Sequence, residues 1–253
     1  MWIKSPGRVA FLALAVAAGV VVGGLRAGWI ALPERFNPWA ELDPMATPNL
    51  LTPMKLRRAR DDPARCRTAL TALGAAFQPV PDQAAGPGCD VRDGVRLSGL
   101  RGARLASPAL LSCRGALSLA MWEHHALQPA AQARLQSPIA SVQHLGSYAC
   151  RNVNTGEPGV PGARRSRHAT ADAIDIAGFT TADGRRLTVL RDWRAAAPAS
   201  EGERAAPSSP EAAFLDAAHA GACRFFDGVL GPAYNAVHAD HFHLEDGGWR
   251  TCR

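Results

Sequence analysis

Two short segments with alternating residue character most constrain the fold of this chain. Residues 172–178 read Asp-Ala-Ile-Asp-Ile-Ala-Gly, and residues 241–244 read His-Phe-His-Leu. Successive side chains of a β-strand point to opposite faces of a sheet. As strands, the first segment would place Asp175 on the face opposite its two isoleucines, and the second would place both histidines opposite a phenylalanine and a leucine. We therefore expect two strands that bury apolar side chains and present polar ones on an open face.

The polar residues of these segments are of the types that bind zinc. His168 precedes Asp175 by seven residues, and His241 and His243 form a His-x-His pair. Zn²⁺ prefers imidazole nitrogen and carboxylate oxygen in a tetrahedral arrangement, and two histidines with one aspartate leave a fourth position for water, as in catalytic sites. Asp172 is a rival ligand, but the alternation puts it on the face of the isoleucines. We therefore expect a zinc ion with Asp175 as a ligand.

Four segments resemble a known family. They are Gly-Ser-Tyr-Ala-Cys-Arg at 146–151, Ser-Arg-His-Ala at 166–169, Ala-Ile-Asp-Ile-Ala-Gly-Phe at 173–179 and His-Ala-Asp-His-Phe-His-Leu at 238–244. Together they are similar to the bacterial extensin-like C-terminal domain family, over roughly residues 50–253. The Ser-x-His-x-x-Ala-x-Ala-x-Asp and His-x-His patterns are also similar to D-Ala-D-Ala metallopeptidases and their lysostaphin-type relatives. The resemblance implies an α+β fold, in which an antiparallel sheet with flanking helices carries a zinc site on its open face.

The resemblance to the peptidases implies roles for individual residues. It makes His168, Asp175 and His243 the zinc ligands. Asp240, three residues before the last ligand, stands where relatives carry the general base for the attacking water. If His241 rather than His243 held the metal, the residue three positions before it, His238, would be the rival base.

Two further residues receive roles from the same resemblance. His241 would assist the metal ligands or the transition state. Arg151 lies three residues after Tyr148, where relatives carry Tyr-Arg-Ser, and it would bind a substrate carboxylate or the developing oxyanion.

The activity implied by the resemblance is hydrolysis of an amide bond in peptidoglycan stem peptides or cross-links, with peptidoglycan as the partner. The alternative is a non-catalytic wall-binding envelope protein that retains the peptidase fold. A structural envelope protein is a third class, against which the absence of Ser-Pro repeats argues.

The N-terminus carries a targeting signal. Lys4 and Arg8 precede an uncharged, apolar stretch at residues 9–25, which is typical of a signal sequence or signal anchor. We expect a periplasmic protein that residues 9–25 anchor to the inner membrane, and the alternative is a cleaved signal peptide. The expected organisation is an anchor at 1–31, a proline-rich linker at 32–53 and the extensin-like domain at 54–253.

The cysteines fit an exported protein. There are six, scattered without a Cys-x-x-Cys pair, and an oxidising compartment would join them in three disulfides. Fifteen full pairings are open. We expect Cys66 to pair with Cys89 and Cys223 with Cys252.

Charge and composition exclude a nucleic-acid partner. The net charge is +6 and the pI is near 9.4, but aromatic residues make up only 6% of the chain and no recognition motif is present. A basic exported protein is better suited to anionic wall polymers or phospholipid headgroups.

Periodicity and turn residues predict the remaining elements. Asp-Gly within residues 91–97 predicts a hairpin, and Ser-Pro at 107–108 predicts a helix start. Gly, Pro and small polar residues predict a rim loop at 152–165 and a second loop at 195–210. The other predictions are helices over 55–73, 109–127 and 211–230, and strands over 139–148 and 186–190.

Overall fold

The computed structural model describes residues 6–29, 32–154, 161–193 and 209–253. The chain divides into two compact units, Met1–Glu41 and Leu42–Arg253. The first unit contains helix α1 (Pro6–Arg26) and a short 3-10 turn at Glu34–Phe36. Within α1, 20 residues are apolar enough to cross a membrane, a test that a signal sequence also passes. The expected apolar N-terminal helix is therefore present, with a length and composition that would suit a signal anchor or a signal peptide.

The second unit is built on a nine-stranded, mostly antiparallel sheet. Its strands are β1 (Ala76–Pro79), β4 (Gly94–Gly99), β5 (Arg104–Ser112), β6 (Ile139–Gly146), β9 (Ala173–Thr181), β10 (Arg186–Thr188), β11 (Gly228–Leu230), β12 (Phe242–Glu245) and β13 (Thr251–Cys252). They run in the order β1-β4-β5-β6-β9-β12-β11-β13, and β10 also pairs with β9. Among the described strands, only the β5–β6 and β11–β13 pairs are parallel.

Helices and two small ribbons complete this unit. The helices are α2 (Thr52–Arg60), α3 (Pro63–Ala72), α4 (Cys113–Trp122), α5 (Gln128–Leu135), α6 (Val189–Asp192) and α7 (Pro210–Ala222). A π-helical turn at Glu123–Leu127 joins α4 to α5, and 3-10 turns span Arg167–Thr170 and Ala236–His238. The ribbons pair β2 (Gln83–Ala84) with β3 (Asp90–Val91) and β7 (Asn152–Asn154) with β8 (Pro161–Arg165). The predicted α+β class with a mostly antiparallel sheet is confirmed.

The core lies between the sheet and the helices. Trp122, at the end of α4, is fully buried and donates its indole N–H to the Ala218 carbonyl of α7 at 2.9 Å. Phe179 of β9 packs between Trp122 and Phe214 of α7, with ring centroids 6.3 and 5.2 Å away. Aromatic groups of this size contribute much of the apolar area that a domain buries. These contacts hold α4 and α7 against one face of β9 and leave its other face for polar residues.

Two predicted helices have different bounds in the structure. The single helix expected over 55–73 is two helices, because Pro63 lacks an N–H and Asp62 caps the second helix by accepting bonds from two backbone amides. The helix expected over 109–127 begins only at Cys113, where Ser112 is the N-cap. Residues 104–112 are strand β5, in which buried Ala109 and Leu111 alternate with more exposed neighbours.

Pro108 is tolerated in β5 because it lies in an irregular stretch. The pairing of β5 with β4 joins Ala109 to Leu97 and then resumes only at Arg104 with Gly99. A proline cannot donate to a strand ladder, so it is accommodated at such irregularities. Ser-Pro at 107–108 is therefore not a helix start here.

The predicted Asp-Gly hairpin is also wrong. Val91 ends β3, which pairs with β2, whereas Gly94 begins β4, which pairs with β1 and β5. Asp93 has a φ of 49°, so the chain does adopt a left-handed conformation there. This turn connects a strand of one sheet to a strand of another, rather than two strands that pair with each other.

The remaining element predictions are partly confirmed. The strand over 139–148 is present as β6, and the strand over 186–190 is β10, which ends at Thr188 because that residue caps α6. The helix expected over 211–230 ends at Ala222, since residues 228–230 form β11 between β12 and β13. The loop predicted over 152–165 is wrong where it is described, since residues 152–154 and 161–165 are the paired strands β7 and β8. The rest of it, 155–160, and residues 194–208 of the second predicted loop lie outside the described residues.

All six cysteines form disulfides, as predicted, and this suggests a location outside the cytoplasm. The pairs are Cys66–Cys113, Cys89–Cys150 and Cys223–Cys252. The last was expected, but the predicted Cys66–Cys89 bond is wrong. Packing of α3 against α4 brings Cys66 to Cys113 with a Cα separation of 6.1 Å.

Candidate metal centre

Strand pairing brings the two alternating segments together. In the antiparallel pair β9–β12, His243 lies directly opposite Asp175. Their neighbours Ile174, Phe242 and Leu244 are buried in the hydrophobic core on the other face. The predicted separation of polar and apolar faces is therefore observed in both strands, and the register places an imidazole beside a carboxylate.

The 3-10 turn before β9 supplies the second histidine. Ser166 caps this turn by accepting a hydrogen bond from the His168 backbone N–H at 3.3 Å. The His168 ring donates from Nδ1 to the Ser147 carbonyl at 3.0 Å. Because a carbonyl can only accept, this bond leaves Nε2 of a neutral His168 ring with its lone pair directed at the open face.

His168, Asp175 and His243 converge on one point. His168 Nε2 lies 3.1 Å from Asp175 Oδ2 and 3.2 Å from His243 Nδ1, and His243 Nδ1 lies 2.9 Å from Asp175 Oδ1. Ligands held at about 2.0–2.1 Å in a tetrahedral zinc site lie about 3.3 Å from one another. The donor types and their separations therefore fit a zinc ion with little rearrangement.

The electrostatics of the three side chains also suit a cation. Burial lowers the pKa of His243, but its hydrogen bonds with Asp175 and Glu245 outweigh this effect and raise the pKa to about 9. Burial raises the pKa of Asp175, yet its close contacts with the rings of His168 and His243 hold that pKa far below its usual range. The three side chains thus favour a positive charge between them. A proton on His243 supplies that charge in the metal-free protein, and a bound metal ion would supply it instead.

His241 and Asp240 form a pair next to the ligands. His241 is buried, and its Nδ1 donates to Asp240 Oδ1 at 2.7 Å. Its Nε2 lies 3.5 Å from Asp175 Oδ1. The Asp240 side chain is 51% exposed. The pair therefore connects solvent to the edge of the candidate metal centre.

His238 is a third histidine at the site. Its ring lies 5.3 Å from that of His241 and 5.8 Å from that of His243, and Tyr234 packs on it at 5.5 Å. Its Nδ1 is 2.7 Å from the Asn235 side-chain oxygen. Burial, followed by the positive charges of the two neighbouring histidines, lowers the pKa of His238 to about 4. His238 thus lines the site as an uncharged imidazole at neutral pH.

Arg151 lies at the rim. The side chain is exposed, and its guanidinium donates to the Asn152 carbonyl at 3.2 Å. Its charge contributes to the lowered pKa of His238, and its backbone carbonyl accepts a hydrogen bond from the Ser166 N–H at 3.1 Å, beside the turn that carries His168. In the described part of the chain, no hydrogen bond joins it to the three candidate ligands.

Two other carboxylates clarify the ligand set. Asp172, the rival ligand, accepts bonds from Ser112 and Thr170 at 2.6 and 2.7 Å and is not part of the converging group. Glu245, which the sequence reasoning missed, has Oε2 only 3.0 Å from His243 Nε2. The same alternation that pairs His241 with His243 could have identified it, since Glu245 is the next residue on that face.

A second group of metal-binding residue types is excluded by chemistry. His219, Cys223 and Cys252 lie close together, but the two cysteines are bonded to each other. A disulfide has no thiolate to offer a metal.

The family comparison agrees with the residues that carry the resemblance. No curated protein and no solved structure matches the chain. The family model described as extensin-like protein C-terminus matches residues 64–253, which include every candidate residue of the metal centre. The chain therefore belongs to the extensin-like C-terminal family.

Proposed function

We propose that this protein is an exported zinc peptidase that hydrolyses an amide bond in peptidoglycan stem peptides or cross-links. The observation that carries the proposal is the convergence of His168, Asp175 and His243, with ligand atoms 2.9–3.2 Å apart beside a histidine–carboxylate pair. The similarity of the ligand motifs to D-Ala-D-Ala metallopeptidases supports the choice of substrate. The apolar N-terminal helix and the three disulfides support a periplasmic location next to that substrate.

A zinc ion in such a site supplies Lewis acidity, which polarises a carbonyl and lowers the pKa of water. The chain itself must then accept a proton from the attacking water. His241 is not one of the three candidate ligands, its Nε2 lies 3.5 Å from Asp175 Oδ1, and Asp240 accepts the Nδ1 proton of the same ring. We propose that the two residues act as a unit, in which Asp240 stabilises the imidazolium that forms.

Direct action of Asp240 as the base is the second assignment within this mechanism. One of its oxygens accepts from His241, and the side chain as a whole is half exposed, so solvent can reach it. A variant of each residue separates the assignments. If Asp240 is the base, Asp240→Asn removes most of the turnover and His241→Gln removes less; if they act as a unit, both variants lose similar amounts.

Arg151 supports recognition of an acidic substrate. A guanidinium can hold a carboxylate through two hydrogen bonds, and stem peptides carry carboxylates. Its exposed side chain is available to such a substrate.

The test is digestion of purified murein by the full chain, with release of muropeptides followed by mass spectrometry. We expect release that a chelator abolishes and added zinc restores. Asp240→Asn should lower the rate at least about a hundredfold, within the range of general-base catalysis, without loss of zinc. The matched control is Asp183→Asn, which changes a surface aspartate paired with Arg185. If the wild type and both variants bind murein but none of them cleaves it, the enzymatic proposal is refuted and a wall-binding function is favoured.

A further inference from the structure

Glu245 contacts the candidate ligand His243 at the ring nitrogen that does not face the other two ligands. It follows His243 by two residues on β12, so both side chains lie on the same face of the strand. Its Oε2 lies 3.0 Å from His243 Nε2. We propose that Glu245 is a positioning residue of the metal centre, which accepts the Nε2–H of His243 and so directs Nδ1 toward Asp175 and His168. This inference rests on the proposed zinc site.

The structure makes room for this carboxylate with two glycines. A Cβ added at Gly228 would lie 2.5 Å from Cγ of Glu245, and one added at Gly248 would lie 2.3 Å from its Oε1. Real Cβ atoms do not approach so closely, so any side chain at either position would displace the carboxylate. Gly228 belongs to β11, paired with β12, and Gly248 to the loop beyond it. The two glycines form a cradle around the Glu245 side chain.

The loop that closes this cradle is tied to the metal centre. Gly247 turns the chain with a φ of 76°, a conformation that favours glycine. The guanidinium of Arg167, the residue before His168, donates to the Gly247 carbonyl. The Cys223–Cys252 disulfide holds the end of the loop, and β13 pairs with β11. The C-terminal segment is thus arranged to keep Glu245 beside His243.

The contact has a defined chemical consequence. A neutral imidazole carries one N–H, and the hydrogen bond made by one ring nitrogen decides which nitrogen is free to bind a metal. A carboxylate can only accept, so it selects the Nε2–H form of His243 and leaves the Nδ1 lone pair facing the other two ligands. Partners of this kind also raise ligand basicity, and their loss typically costs 10–100-fold in metal affinity.

The test is zinc affinity, measured on the metal-stripped full chain by competition with a chromophoric chelator. In Glu245→Gln the new amide can donate or accept, so it no longer selects one form of His243, and we expect zinc to bind about 10–100-fold more weakly. Gly248→Ala leaves every charge in place but pushes the carboxylate away, and it should weaken zinc in the same direction. Glu211→Gln, on the first turn of α7 beside Arg185, is the matched control and should bind as the wild type does.

A second measurement separates positioning from general destabilisation. In ¹⁵N spectra of the zinc-loaded wild type, Nδ1 of His243 should carry the metal and Nε2 the proton, and Glu245→Gln should lose this single form. The inference would be overturned if the wild type binds zinc and both Glu245→Gln and Gly248→Ala keep its affinity and its His243 signals. The proposed function would then remain intact. Absence of zinc binding by the wild type would overturn both.

Discussion

Removal of the Cys89–Cys150 disulfide should cost a large part of the stability of the second unit. The bond joins residues 61 positions apart, and the chain-entropy model assigns about 4 kcal/mol to closing a loop of that length in the unfolded chain. Domains are usually stable by only about 5–15 kcal/mol. The double variant Cys89→Ala/Cys150→Ala should therefore unfold at a much lower urea concentration than the wild type.

The assay is equilibrium urea unfolding of the full chain in mild detergent, followed by tryptophan fluorescence, to which the buried Trp122 contributes. The free energy of unfolding should fall by about 4 kcal/mol. Cys223→Ala/Cys252→Ala opens a loop of only 29 residues and serves as the control, with an expected loss of about 3.5 kcal/mol. A loss below about 1 kcal/mol for Cys89→Ala/Cys150→Ala would refute the reasoning, because the loop would then be restrained by contacts other than the disulfide.

Three further outcomes are expected. His168→Ala should remove the approximately equimolar zinc that elemental analysis should find in the wild type, whereas His125→Ala, outside the ligand group, should retain it; equal zinc in both variants would contradict the assignment. In the metal-free protein the pKa of His243 is raised from 6.5 to about 9. Its contribution to the free energy of unfolding, about 3 kcal/mol, is therefore complete below pH 6.5 and disappears as the pH rises to 9. Chemical denaturation across that range should show the decline, and His243→Gln should flatten it. Gly178→Ala would place a Cβ 2.5 Å from the Leu187 carbonyl oxygen and should destabilise the protein by about 1–3 kcal/mol. The melting temperature should fall accordingly. An unchanged melting temperature would show that β10 can move away without cost.

The local alternation of residues carried most of what could be predicted about the candidate metal centre. The burial of Ile174 and Phe242 and the polar face shared by His241 and His243 follow from the two-residue period of a strand. These relations hold within one segment, so no knowledge of the rest of the fold is needed. The even number of cysteines predicted their full pairing, and the motifs that resemble the extensin-like family implied the α+β class.

Elements near prolines and glycines were predicted less well. Ser-Pro at 107–108 is a common helix start, and Asp-Gly at 93–94 is a common hairpin turn. In this fold Ser-Pro lies within β5, which pairs with β4, and Asp-Gly lies where the chain leaves β3, which pairs with β2, and enters β4. Tertiary pairing overrode a local preference that amounts to only a small free energy per residue.

By itself, then, the sequence determined the residue types of the centre, the faces on which Asp175 and His243 lie, and the presence of three disulfides. Only the tertiary structure decided that His243 stands directly opposite Asp175, that Cys66 bonds Cys113 rather than Cys89, and that Glu245 fits between two glycines. The reason is physical. A strand's alternation is a property of its own backbone, whereas register, disulfide pairing and close packing join residues far apart in the chain and depend on the free energy of the whole packed domain.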